Sequence, residues 1–243
     1  LTGVGNRSRF DDVMAGLLAD DDPNRQHGIF LVRLVDLAGV NRRLGHHDTD
    51  ALIRELAGCL QQVISTHRDQ FTDDHVARLN GSDFAVILTD LLDISPIAAA
   101  LEAELRELTV RHGDTPPLQF ALSADRFGSS EDRASILIRL DDALARAEYQ
   151  GETCLERVAD TVEPDRWHGS DEWREILNNA IQTGHIHAAR FATRRIDGRL
   201  IHREAMVRLE QDDTTWTAGQ FLPWARRLAL LPRLDLAVVE NQL

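Results

Sequence analysis

Asn80-Gly81 stands between two apolar runs, His75-Val76-Ala77-Arg78-Leu79 and Ala85-Val86-Ile87-Leu88. No other short signal in the chain restricts the fold as much. The dipeptide suits a type I′ turn, whose central residues both need positive φ, and that turn joins neighbouring antiparallel strands. The spacing therefore predicts a hairpin with Asn80-Gly81 at its tip. Helical and extended patterns alternate around it. Phe10, Val13, Met14, Leu17 and Leu18 recur at helical spacing, and residues 29–35 form an apolar run broken only by Arg33, as in a buried central strand. Leu52, Leu56 and Leu60 mark a helix over 48–64. Ser95-Pro96 reads as a cap and first turn leading into a helix over 97–112. Residues 118–123 alternate as a strand, 130–150 form a helix stopped by Gly151, and 154–158 can close the sheet. A hairpin among alternating strands and helices predicts an α/β fold, a mixed sheet with helices packed on both faces.

Residues 160–169 are polar, contain Pro164 and lack periodicity, which places a boundary there. The expected organisation is one domain over 1–158, a linker over 159–169 and a second segment over 170–243. In that segment a helix over 170–183 ends at Gly184. A second hairpin joins 187–196 to 200–209 through Asp197-Gly198. Residues 221–231 are helical, and Pro232 interrupts before a last pattern over 234–243. So short a stretch can hardly bury a full core alone. It is expected to lean on the first domain, on a partner chain or on further residues. All four tryptophans, Trp167, Trp173, Trp216 and Trp224, fall in this half of the chain. They are read as packing against the first domain or a partner rather than as a ligand box. Leu1 opens abruptly and Leu243 closes inside a helical pattern, so both ends read as cuts in a longer protein.

Composition excludes some functions. The formal charge of −13 repels polyanions, so sequence-independent binding to a nucleic acid polymer is not expected. Every basic side chain is arginine, which removes lysine as a phosphate ligand or nucleophile. Cys59 and Cys154 fit no metal or redox spacing and suit a reducing cytoplasm. No apolar stretch approaches the ~20 residues that span a bilayer. The expected location is cytoplasmic, including the cytoplasmic part of a membrane-anchored protein. His46-His47 and His185-x-His187 lack Cys or acidic partners at ligand spacing, so no metal is assigned to them.

Asn80-Gly81-Ser82-Asp83-Phe84 resembles a degenerate copy of the Gly-Gly-Asp-Glu-Phe signature of diguanylate cyclases, which join two GTP molecules into cyclic di-GMP. The likeness runs over 1–158: Leu1-Thr2-Gly3-Val4-Gly5-Asn6-Arg7 is similar to the family's opening Leu-Thr-Gly-Leu-x-Asn-Arg. Val40-Asn41 with Gly45-His46-His47-Asp48-Thr49-Asp50 follows its Ile-Asn-Asp-x-x-Gly-His-x-x-Gly-Asp segment. Asp141-Asp142-Ala143-Leu144, Ala147-Glu148 and Gly151 follow its closing helix. The resemblance implies the adenylyl-cyclase-like fold of GGDEF domains, with a mixed sheet flanked by helices.

Activity carries over only residue by residue. In active members one metal carboxylate ends the first core strand, where this chain has Arg33, and another is the third signature residue, here Ser82. Basic residues on the closing helix hold phosphates, at positions here filled by Glu148 and Glu152. An arginine reverses the charge at a metal ligand, a serine leaves no anion, and two carboxylates face a phosphate. Together these changes should defeat Mg²⁺ and GTP binding, and no cofactor and no cyclase activity are expected. Asn41 and Asp50 remain where the family reads guanine. The alternative is that Asn41 caps a helix and Asp50 is solvated in a first turn. The family's product-inhibition Arg-x-x-Asp reads Phe71-x-x-Asp74, without the arginine that would hold cyclic di-GMP. Arg33 either pairs with Asp83 or lies at the strand end and reaches water.

The second segment resembles the start of an EAL domain, the cyclic di-GMP phosphodiesterase barrel. Arg203-Glu204-Ala205-Met206-Val207-Arg208-Leu209 is similar to Gly-x-Glu-Ala-Leu-x-Arg-Trp, and Phe221-Leu222-Pro223-Trp224-Ala225 to Phe-Ile-Pro-x-Ala. The likeness implies an incomplete EAL-barrel segment in which Glu204 is a metal ligand and Arg208 contacts the dinucleotide. One carboxylate cannot make a metal hydrolase, and the bland reading makes Glu204 a strand-end residue held by an arginine. The reading is a catalytically inactive GGDEF regulatory module joined to an EAL-like segment, from a bacterial cyclic di-GMP signalling protein. Its alternatives are a GTP-responsive activator half of an active phosphodiesterase and a nucleotide-free dimerisation scaffold. The expected partners are GTP or cyclic di-GMP, and a protein or a second copy of the chain.

Overall fold

The structure, a computed structural model, describes residues 2–113, 115–158, 168–211 and 214–240. The chain divides into two units, Leu1–Trp167 and His168–Leu243.

The first unit is built on a six-stranded mixed sheet in the order β1-β3-β4-β2-β5-β6. The strands are β1 (Gly5–Asn6), β2 (His27–Leu34), β3 (Asp73–Arg78), β4 (Asp83–Thr89), β5 (Phe120–Phe127) and β6 (Cys154–Arg157). The helices are α1 (Arg7–Leu18), α2 (Leu37–Leu44), α3 (His46–Thr66), α4 (Ser95–His112) and α5 (Arg133–Gln150). The apolar run with one charge is the central strand β2, antiparallel to both β4 and β5, and the outer pairs β1–β3 and β5–β6 are parallel. Alternation along β2 splits the core in two. Phe30, Val32 and Leu34 pack with α3 and α4, through Leu52, Leu56, Leu60, Leu101 and Leu105. Ile29 and Leu31 pack with α1 and α5, through Phe10, Met14, Ile136, Leu140 and Leu144. Strand periodicity puts Arg33 on this second face, under α5. Each such fully buried aliphatic or aromatic side chain contributes about 1.5–3 kcal/mol relative to exposure.

Local chemistry sets the helix ends. The Asp132 carboxylate accepts from the Ser135 amide at 2.9 Å to start α5, and Gly151 at φ +80° ends it, a conformation that needs no Cβ. The helix expected from 130 therefore begins at Arg133. Ser95 is the first residue of α4 rather than its cap; its own amide donates to the Asp93 carboxylate at 2.9 Å. The short helix α2 has no counterpart in the sequence reading. Asp36, at φ 51°, turns the chain into it and accepts from the Gly39 amide at 2.9 Å.

The β3–β4 hairpin is present, but its turn is not type I′. Neither Asn80 nor Gly81 has positive φ, and the Leu79 amide donates to the Asp83 carbonyl at 2.8 Å across residues 80–82. The reason is the Asn80 side chain. Its carbonyl oxygen accepts from the amides of Ser82 and Asp83, each at 3.0 Å, so an Asx-type turn takes the place of a left-handed pair.

The second unit holds a three-stranded antiparallel sheet, β7 (Ile186–Arg194), β8 (Leu200–Gln211) and β9 (Thr214–Thr217). Its helices are α6 (Ser170–Thr183), α7 (Ala218–Arg227) and α8 (Leu231–Glu240). Pro232 does not interrupt a helix; it lies in the first turn of α8, where its missing N–H costs nothing. The described tryptophans pack on one another inside this unit. Trp173 lies 5.1 Å from Trp216 edge-on and 6.2 Å from Trp224 in a stack, and all three are buried. Trp167 lies outside the described residues. Among the described residues no helix is long and apolar enough to cross a membrane.

Candidate functional site

Arg33 and Asp83 are cross-strand partners in the β2–β4 register. Their side chains meet in a two-point fork, Arg33 Nε to Asp83 Oδ1 and Nη2 to Oδ2, both 2.7 Å. The remaining guanidinium nitrogen, Nη1, donates to Glu148 Oε1 at 2.5 Å. On the other side of β2 the register partner is Ala121, whose small side chain leaves room for the guanidinium. Glu148 comes from the last turn of α5, which is held to the sheet by Gln119 Nε2 donating to the Glu148 carbonyl at 2.9 Å. Arg33 thus ties the central strand, the hairpin and the closing helix through one cation. The three side chains are only 21%, 13% and 14% exposed.

Asp83 is saturated. Its two oxygens also accept from Asn80 Nδ2 at 2.7 Å and Ser82 Oγ at 2.9 Å, which makes four bonds with the two from Arg33. A carboxylate offers about four lone-pair sites, so none remains for a metal ion. Ser82 donates into the cluster and brings no anion. The residues here do not fit a divalent cation, because a guanidinium already neutralises the carboxylates that would have to bind it. Among the described residues no group of three or more His, Cys, Asp or Glu side chains could hold a metal.

The electrostatics follow from one cation among several carboxylates. Burial works against ionised Asp83, but its bonds to Arg33, Asn80 and Ser82 win and hold its pKa below the usual range. Burial likewise opposes the charge on Arg33, and the bonds and charges of Asp83, Glu148 and Asp141 overcome it, raising its pKa. Burial dominates for Glu148, pushed up to about 7 against the pull of Arg33, and for Asp141, pushed up to about 6.

The other expected site residues fall elsewhere. Glu152, just past α5, is exposed, and its charge acts on Arg106 rather than at Arg33. Asn41 lies half-buried inside α2; it is not the cap, a role held by Asp36, and its carbonyl accepts from the Gly45 amide at 2.9 Å. Asp50 is exposed near the start of α3, where its backbone carbonyl accepts from Arg54 Nε at 3.1 Å. Phe84 is a fully buried core residue, and Gly81 passes close to Leu37. Phe71 is buried, with the Arg68 guanidinium 5.4 Å over its ring, and Arg68 pairs with Asp74. A cavity of about 220 Å³ is lined by Gly5, Arg9, Gln61, Asp74 and His75, at the β1–β3 edge and away from Arg33. In the second unit Glu204 is exposed in mid-strand opposite Phe191, not at a strand end. Its neighbour is His202, Nε2 to Oε1 at 3.2 Å, not an arginine. Arg208 lies on the same strand, opposite His187.

Sequence reasoning weighed Arg33 and Glu148 as two separate losses and missed their contact. The signal was present in the charges alone: an arginine in an otherwise apolar strand and a glutamate on the closing helix are opposite charges that can pair.

Residues 1–154 match the family model described as diguanylate cyclase, GGDEF domain. The chain is 25% identical to the RNase E specificity factor CsrD of Escherichia coli K12, over 96% of this chain and 36% of that protein. It is 28% identical to the uncharacterized protein YhcK of Bacillus subtilis 168, over 62% of this chain and 42% of that one. It therefore spans less than half the length of either curated relative. In fold it is similar to the S helix-GGDEF-EAL structure of Vibrio cholerae LapD bound to c-di-GMP. The TM-score is 0.73 at 20% identity, over 99% of this chain and 55% of that one.

Proposed function

The chain belongs to the diguanylate cyclase GGDEF domain family, and from that premise we propose that it is a catalytically inactive, regulatory member serving cyclic di-GMP signalling. One observation carries the reading. Where cyclase chemistry needs a cation held between carboxylates and a triphosphate, Arg33 already fills the carboxylates, and Asp83 has no lone pair to spare. A phosphate group approaching this end would meet Glu148, Asp141 and Asp83 around a cation that is already engaged. On this reading the second unit begins an EAL-like domain, with Glu204 and Arg208 on one face of β8, and the first unit controls it or relays signals to it. The test is incubation with GTP and Mg²⁺ followed by chromatography for cyclic di-GMP, beside calorimetric titration with GTP and with cyclic di-GMP. No product is expected, and turnover above a heat-denatured control would sink the proposal. GTP binding that Asp50→Ala abolishes would make the unit a sensor through Asn41 and Asp50, and an activator of a phosphodiesterase.

A second reading is favoured by the match to an RNase E specificity factor over nearly the whole chain. The module is then a nucleotide-free scaffold that presents its surface to a protein partner or a second copy. Silence with both nucleotides, together with a concentration-dependent mass in sedimentation, supports that version.

A further inference from the structure

We infer that Arg33 is a built-in clamp that does a ligand's work: it fixes the hairpin tip and the end of α5 against β2, so this end of the first unit keeps one conformation without nucleotide or metal. The inference rests on the inactive reading and adds how the module is regulated, through what docks on a preset surface rather than through occupancy of a site.

Three elements far apart in sequence converge on one guanidinium. Asp83 is fixed by two parallel bonds, which set the angle of the hairpin as well as its distance. Glu148 takes the third nitrogen and brings the last turn of α5. Backbone contacts reinforce both arms: the Leu34 amide donates to the Ser82 carbonyl at 3.0 Å, and Gln119 holds the Glu148 carbonyl. Arg78 closes the tip from the outside, donating to the carbonyls of Asn80 at 3.0 Å and Gly81 at 2.6 Å. The charge balance prevents easy release. If the guanidinium left, Asp83 and Glu148 would remain largely buried beside each other, with Asp141 nearby. An ordinary ion pair at a sheet end would add stability everywhere in the unit. A clamp instead gives local order to its own arms.

Hydrogen exchange read by mass spectrometry on the whole chain separates these. In the native protein, protection over residues 79–84 and 141–150 should not change when MgCl₂ and GTP are added. Arg33→Met keeps the stem and removes the cation; it should speed exchange in those two segments by about tenfold or more while α3 stays protected. Glu148→Gln, whose amide oxygen still accepts from Nη1, should loosen the end of α5 alone and only slightly. If Arg33→Met does not fold, Arg33→Lys, which keeps the charge and loses the fork, should still free the hairpin selectively. Uniform acceleration across the unit overturns the clamp, as does a rise in native protection with MgCl₂ and GTP. Cyclic di-GMP production would overturn the inactive reading instead, and it is measured separately.

Discussion

The two ends of the central strand carry the same device in different surroundings. At one end Arg33 grips Asp83, at the start of β4, through two bonds of 2.7 Å. At the other, Arg25 grips Asp90, just past the end of β4, through bonds of 2.6 and 2.7 Å, with Asp20 as a further partner. The geometry is nearly interchangeable, yet the solvent is not. Arg25 and Asp90 are 36% and 30% exposed and share their end with loops, and the Arg33 fork lies under α5. Water can replace what Arg25 gives; it cannot replace what Arg33 gives. Contact lists alone would rank the two ends equally, and burial ranks them.

That ranking can be broken in order of expected effect. Asp83→Ala should cost most, about 3–5 kcal/mol, because it strands a half-buried guanidinium and leaves Asn80 and Ser82 without their acceptor. The check is urea unfolding followed by far-UV circular dichroism. Every described tryptophan lies in the second unit, so in a Trp167→Phe background fluorescence recorded in parallel should barely move. A fluorescence midpoint that shifts as much as the dichroism midpoint would show the loss is not confined to the first unit. Glu148→Ala should cost less, about 1.5–3 kcal/mol, since Arg33 keeps its fork to Asp83.

The third test uses the Arg25 end. His27 is fully buried there, its Nδ1 accepts from the Asp90 amide at 3.2 Å, and its Nε2 has no partner among the described residues. Burial holds its pKa below the ordinary 6.5. The folded state therefore binds its proton less readily than the unfolded chain, so stability is full above 6.5 and declines as pH falls below it. Glu148 and Asp141, whose pKa values are both raised, gain stability over the same window, so the readout is a difference: from pH 8 to about 5 the native melting temperature should fall relative to that of His27→Leu. Arg25→Ala should do least. Its unfolding midpoint should stay close to the native one, and a loss as large as that of Asp83→Ala would show that exposure does not separate the two ends.

Much of the fold was legible because its signals are local. The apolar run of β2, the 3.6-residue spacing of Leu52, Leu56 and Leu60, and Gly151 after α5 each state their structure within a few residues. The missed pieces depend on side chains acting at a distance or on very short segments. Helix α2 is started by Asp36 in a left-handed conformation, which no periodicity announces. The Asn-Gly pair pointed correctly to a hairpin and wrongly to its turn, because the Asn80 side chain takes over the backbone's bonds. The site was legible only as residues that depart from the pattern the resemblance implies. That Arg33 and Glu148 touch, 115 residues apart, follows from the sheet order and the placing of α5, which neither local sequence contains.

The Arg33–Glu148 contact also constrains the mutational routes open to this chain. Reversing its polarity takes changes at two codons. A change at position 33 alone to an acid sets a carboxylate against Glu148 and Asp83; a change at 148 alone to a base sets two cations side by side. Either intermediate loses stability before the second step can restore it. A direct charge reversal at either position is therefore opposed by the partner left behind, a constraint that exposed Glu152 does not share.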